Sequence, residues 1–181
     1  MAFLIFGPIE ALKFYLRLSD SVMEACKTWI GKEIVSISAA QMQKDWSANE
    51  MFLSSELGLM LYPQSIAVRV WQEEIAMEDL PISFALRTDN EPPKHHAVVF
   101  QFNKPFVIRK IEIWAEKTRD SSGVRDKTQL TENTLIFIAE TGERWMLLPD
   151  HPGPGFLLAW GEKEMNRILH SGWYVLKHIL D

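Results

Sequence analysis

Cysteine is almost missing from this chain: Cys26 stands alone among 181 residues. A single thiol excludes an internal disulfide framework and suits a reducing compartment. An excess of positive charge is missing too. There are 19 Lys and Arg against 24 Asp and Glu, a formal net charge of −5, and the isoelectric point is near 5.6. Domains that grip nucleic acid through bulk charge usually lie above a pI of about 9, so no nucleic-acid partner is expected. Long apolar runs are absent as well, and without 18 consecutive apolar residues no membrane-spanning helix is expected. The run at residues 1–6 stops at Gly7-Pro8 with no Lys or Arg before it, which does not fit a secretory signal. The expected location is cytoplasmic.

Apolar residues make up 47% of the chain. Folding at this length hides roughly 70% of the unfolded surface, so one core needs no covalent staples. Disorder requires low hydrophobicity together with high net charge, and is excluded. No repeat, low-complexity tract or long linker divides residues 1–181, which read as a single domain.

Period-two alternation dominates the pattern. Residues 10–18 alternate Leu12, Phe14, Leu16 and Leu18 against Lys13, Tyr15 and Arg17, which predicts a strand with a helix from Pro8 as its rival. Ser21 and Glu24 have capping-box spacing for a helix over 20–30 with Val22, Cys26, Trp29 and Ile30 on one face and Gly31 at its end. A strand follows at 33–39, then an ambiguous stretch where Ser47 and Glu50 could cap a short helix. Three hairpins are predicted. The first joins 57–62 to 65–72 across Tyr62–Ser65, and the second joins 97–102 to 106–116 across Asn103-Lys104-Pro105. The third joins 133–140 to 143–148 across Thr141-Gly142. Residues 82–87 and 156–160 read as strands, 162–170 as a helix and 173–180 as a last strand. Segments 73–81, 91–96, 119–127 and 149–155 read as connections, the third of them as a mobile loop. The expected fold is α+β, mainly antiparallel sheet built from hairpins, with two or three short helices.

Catalytic signatures are scarce. The five histidines come without HExxH, CxxC or a carboxylate triad. His95 and His96 are neighbours that an extended chain would point to opposite sides. Neither a metal nor a cofactor is expected. The segment HPGPG, 151–155, lacks the N–H groups and the Lys-Ser/Thr of a phosphate cradle, and no GxGxxG occurs. Cys26 sits on an apolar helix face, where a thiol is inert. Glu112 and Glu116 share a strand face with Lys110 and Trp114, read as a solvated face with cross-strand ion pairs. No catalytic residue stands out, and the chain reads more readily as a non-enzyme.

Seven tryptophans are more than this length usually carries. Trp29 and Trp145 read as core. Trp71 and Trp114 share strand faces with charged neighbours, and Trp is favoured at binding hot spots. Charge is uneven: residues 1–90 hold 7 basic and 12 acidic side chains, residues 91–181 hold 12 of each. The densest acidic block, Glu73, Glu74, Glu78 and Asp79, follows Trp71. A basic protein partner would be steered by that field and anchored by that ring, so Trp71, Glu73, Glu74, Glu78 and Asp79 are the candidate partner-binding residues.

In size, acidity and mixed antiparallel pattern the chain is similar to small bacterial immunity proteins, which neutralise a cognate toxin by binding it. The likeness is one of scale and composition, with no motif behind it. It implies a non-catalytic protein-binding domain, a toxin-neutralising inhibitor whose partner is a basic toxin domain. Two further readings stay open: a small-molecule-binding β-domain with a Trp-lined cavity, and a hydrolase whose site a single sequence does not reveal.

Overall fold

The computed structural model describes residues 13–39, 47–48, 51–55, 59–65, 82–87, 91, 93–120, 127–149 and 156–181. Leu16 and Leu18 are buried and Arg17 is exposed, so the opening alternation forms a strand, β1 (Lys13–Leu16), and not the rival helix. Helix α1 (Asp20–Trp29) follows. Its N-cap is Ser19, whose hydroxyl accepts from the Val22 N–H, two residues before the serine that the spacing predicts. The Ser21 hydroxyl instead meets that of Ser19 at 2.9 Å, and Glu24 pairs with Lys27 at 2.7 Å. Val22, Cys26 and Trp29 form the buried face as expected. Gly31 ends the helix at φ +79°, a left-handed conformation that costs glycine little.

β2 (Glu33–Ala39) lies where the pattern puts it. The ambiguous stretch is extended where it is described, as β3 (Ser47–Ala48) and β4 (Met51–Ser55), and not helical. Met51, Phe52 and Leu53 are buried in succession, which a strand covered on both faces achieves and one helix face does not. β5 (Leu59–Ser65) corrects the first hairpin. It runs straight through Pro63 and pairs with β6 (Ile82–Arg87), placing Pro63 opposite Phe84. Among the described residues β4 pairs with Leu59–Leu61 and stops short of Pro63, so Pro63 is paired there on the β6 side alone, a position a sheet tolerates for proline. Residues 66–72 lie outside the described residues.

The second hairpin is corrected as well. Residues 97–120 form one strand, β7 (Ala97–Asp120). Ser36 pairs with Gln101 and Ile34 with Phe106, so residues 102–105 face Val35 alone as a wide bulge. Phe102, the first residue of the bulge, and Phe106, just beyond it, are both buried, which holds the chain in one direction. Pro105 sits in the bulge, where no ladder hydrogen bond is lost.

β8 (Lys127–Ala139) and β9 (Arg144–Pro149) make the third hairpin as expected, with Gly142 of its turn at φ +84°. The strands take in both ends of the expected 119–127 loop, and residues 121–126 and 150–155 lie outside the described residues. β10 (Phe156–Trp160), α2 (Glu162–Leu169) and β11 (Tyr174–Leu180) complete the chain.

Spatial order in the sheet is β3-β10-β9-β8-β7-β2-β4-β5-β6, with β1 beside β8 and β11 beside β7. β7 is the spine: its first half pairs with β2, and its second half lies between β8 and β11. The pairing of β1 with β8 is parallel, and the others between described strands are antiparallel. The fold is α+β, built mainly of antiparallel hairpins. One face of β8 enters a large core with α1, in which Phe137 stacks between Trp29 and Trp145. The other face packs Ile136 with Met146, Met165 and Leu169 beneath α2. This two-sided burial makes β8 central, as its apolar run predicts. Among the described residues no helix is long and apolar enough to cross a membrane.

Candidate functional site

Two bulges face each other across β7. On one side Trp114 pairs with Thr134 and Ala115 with Glu132, leaving Asn133 of β8 as an extra residue. On the other, Leu176 pairs with Trp114 and His178 with Ile113, leaving Lys177 of β11 extra. Each bulge turns the side chain beyond it to the opposite face. In an unbroken register Glu132 would meet Glu116 and His178 would meet Glu112, both on the α2 side. With the bulges, Glu132 and His178 instead share the face of Ala115 and Ile113, the side of the main core.

There they meet. Glu132 is 1% exposed and its carboxylate collects donors from three elements. The Tyr15 hydroxyl of β1 donates to Oε1, and the Leu18 N–H, just before α1, donates to Oε2 at 2.8 Å. Nε2 of His178 lies 2.8 Å from the same Oε1. With the hydrogen on Nε2, His178 donates to this oxygen as Tyr15 does. The Lys177 ammonium lies 4.7 Å over the Tyr15 ring, a second link between β1 and β11. Burial first, then the hydrogen bond to Glu132 and its charge, push the Tyr15 hydroxyl far above its ordinary value, against a smaller opposing pull from Arg17. Tyr15 therefore stays a donor.

β11 presents a different surface outward. None of its seven residues is buried, although five of them are apolar or aromatic. Val175, Leu176 and Ile179 are 40%, 39% and 49% exposed, and Trp173 before the strand is equally open. Among the described residues β11 pairs with β7 alone, and none of them pairs with its other edge.

The expected partner-binding residues Trp71, Glu73, Glu74, Glu78 and Asp79 lie outside the described residues. Glu112 and Glu116 do share a face, but it is not a fully solvated one: Glu112 is buried and Glu116, Lys110 and Trp114 are half-buried. Glu112 takes Lys110 at 3.1 Å, Arg144 at 3.7 Å and the Trp114 indole N–H at 3.2 Å. Glu116 accepts from Asn133 at 2.8 Å. The His95 and His96 rings do not point apart: a turn at Lys94-His95 brings them edge to face, 4.8 Å between centres. Among the described residues no three His, Cys, Asp or Glu side chains gather as metal ligands. Cys26 is fully buried, and burial pushes its thiol up to about 12.

Glu132 and His178 carry no mark in the sequence. The single available signal is the polar trio Glu132-Asn133-Thr134 directly before the all-apolar run 135–139, where buried polar side chains need internal partners.

Three groups make alkaline stability a direct check on this arrangement. Cys26, Tyr15 and Tyr174 all ionise later in the folded chain, Tyr174 through burial and then the charge of Glu116. The unfolded chain loses these protons at ordinary values of about 9–10, while the folded chain keeps them. Stability is therefore intact below pH 9 and falls as pH rises beyond it. Urea unfolding at pH 7.5 and 10.5 is expected to show Cys26→Ala losing about 2 kcal/mol less over that interval than the wild type. Equal losses in the two proteins would place the thiol outside the core.

No protein-family model matches the chain, and neither a curated protein nor a solved structure is detectably similar to it.

Proposed function

We propose that the chain is a non-catalytic protein-binding domain. The observation that carries this is the last strand: four large apolar side chains stand exposed on it or just before it, Leu176 and Ile179 on one face, Val175 on the other and Trp173 at its start, and among the described residues only one of its edges is paired. Contiguous exposed apolar groups mark interaction sites in soluble proteins, and a sheet edge is a template for an extended segment of a partner. The carboxylates described here are engaged by internal donors and so serve packing: Glu132, Glu112 and Glu116 each hold named neighbours. The excess of acid over base in residues 1–90 favours a basic partner, and a toxin domain that itself grips phosphate has that chemistry. In this reading Trp71 and the block Glu73, Glu74, Glu78 and Asp79 steer and anchor the partner, and the chain acts as a toxin-neutralising inhibitor.

The test is partner capture from the native host followed by binding kinetics. Val175→Asp with Ile179→Asp is expected to speed dissociation, because apolar anchors act mainly on the off-rate. Reversal of Glu73, Glu74 and Glu78 to Lys is expected to slow association and flatten its salt dependence, because charges outside the interface core act mainly on the on-rate. If neither rate moves more than about twofold in variants that keep the wild-type fold, neither segment is the interface.

A small-molecule-binding reading has one observation in its favour. The indole N–H of Trp145 is buried with no acceptor among the described residues, inside an aromatic stack with Phe106, Phe137 and Trp160. A ligand with an apolar body and one oxygen acceptor would satisfy it.

A further inference from the structure

The two end strands of the described chain, β1 and β11, do not pair with each other. β1 lies beside β8, and β11 lies beside β7. Yet both are tied to one side chain. Tyr15 of β1 and His178 of β11 meet the same oxygen of Glu132, and its other oxygen holds the Leu18 N–H, where the chain enters α1. A carboxylate oxygen has two lone pairs, so the two donors fit without competing for one site. Each donor helps to hold the carboxylate in the rotamer that the others need. Once one side chain of such a network is ordered, the next contact costs less conformational entropy. Removing one donor lets the carboxylate swing and weakens the grip on the remaining two.

We propose that Glu132 couples the seating of β11 to the seating of β1 and the start of α1, so that a partner engaging β11 changes the order of the N-terminal elements. The coupling is a property of the free protein. The partner's part in it rests on the protein-binding reading above. Both bulges serve this device, because without them Glu132 and His178 would face the α2 layer and β1 would have no link to β11 through this carboxylate. The bulged Lys177 adds a direct contact through the Tyr15 ring. Coupling of this kind is reciprocal: whatever loosening at β1 does to β11, an equivalent loosening at β11 does to β1.

Hydrogen exchange on the full chain without any partner tests the coupling. Tyr15→Phe removes the hydroxyl and keeps the ring beneath Lys177, and His178→Phe removes the ring nitrogen and keeps an aromatic side chain. Tyr15→Phe is expected to speed exchange of the β11 amides about fivefold or more, and His178→Phe to speed that of residues 13–18 by a similar factor. The double variant is expected to gain less than the product of the two single effects. β9, on the far side of β8, is expected to stay within about twofold of the wild type. Effects confined to the strand that carries the substitution would overturn the proposal. So would an equal rise in β9, which reports global unfolding only. Lys177→Met removes the direct contact alone, and if it reproduces the whole effect Glu132 is not the coupler. Because no partner is present, a failure here leaves the protein-binding reading standing, and failed capture of a partner leaves the coupling standing.

Discussion

Glu132→Ala is expected to destabilise the fold by about 2–4 kcal/mol, the cost of losing three hydrogen bonds at about 0.5–1.5 kcal/mol each with one donor left buried. The loss has three parts. The Leu18 N–H loses its acceptor at a buried site. Tyr15 and His178, both partly exposed, lose their shared oxygen but have some access to water. The methyl group left behind also opens a space beneath β1. Glu132→Gln separates these contributions. Its carbonyl oxygen can still accept on one side, while its NH₂ turns a second donor towards a site that already holds donors. A cost of about 1.5–3 kcal/mol is expected for it, the range for a hydrogen bond to a charged group. Urea unfolding at pH 7 measures both. If Glu132→Ala costs under about 1 kcal/mol, the three donors have other acceptors and the carboxylate is not the tie described here.

Elements with one clear period and a bounded end were legible in the sequence. Helix α1 stops at Gly31, the β8–β9 hairpin turns at Gly142, and β2, β10, α2 and β11 lie within a residue or so of their patterns. The two corrected hairpins share one cause. Pro63 and Pro105 predict turns, but a proline ends a strand only where its N–H would have joined a ladder. One lies on a half-paired stretch and the other in a bulge. The capping residue is Ser19 and not Ser21: two serines two residues apart both fit the local pattern, and the chain enters α1 one residue after Leu18, whose N–H is held by Glu132. The cluster around Glu132 was illegible for a different reason. Alternation assigns faces correctly until an extra residue intervenes, and Asn133 and Lys177 each reverse the assignment just where the cluster forms. A parallel neighbour from more than a hundred residues away, β1, then supplies Tyr15, and no local pattern announces that pairing.

Trp145→Ala is expected to cost about 3–5 kcal/mol, as large-to-small changes at fully buried aromatic sites do. The ring has no exposed surface, stacks on Phe137 at 4.1 Å with 12° between planes, and lies 6.1 Å from Trp160 and 6.2 Å from Phe106. Its alanine would leave a hole between partners held by separate strands, which cannot all close on it. Trp145→Phe is expected to behave differently. It keeps a ring against Phe137 and loses some volume, which destabilises. It also removes an N–H that is buried without an acceptor among the described residues, and an unsatisfied buried donor costs about 1–3 kcal/mol. These two terms oppose each other, so the expected net change is within about 1.5 kcal/mol of the wild type. Near-UV circular dichroism checks that the stack survives, and urea unfolding gives the two free energies. Should Trp145→Phe cost as much as Trp145→Ala, the indole N–H is satisfied in solution, and the support it lends to a small-molecule ligand disappears. If the phenylalanine variant is near neutral, the orphan donor is real. An apolar carbonyl compound that raises the unfolding midpoint of the wild type and not of Trp145→Phe would then show what the donor is for.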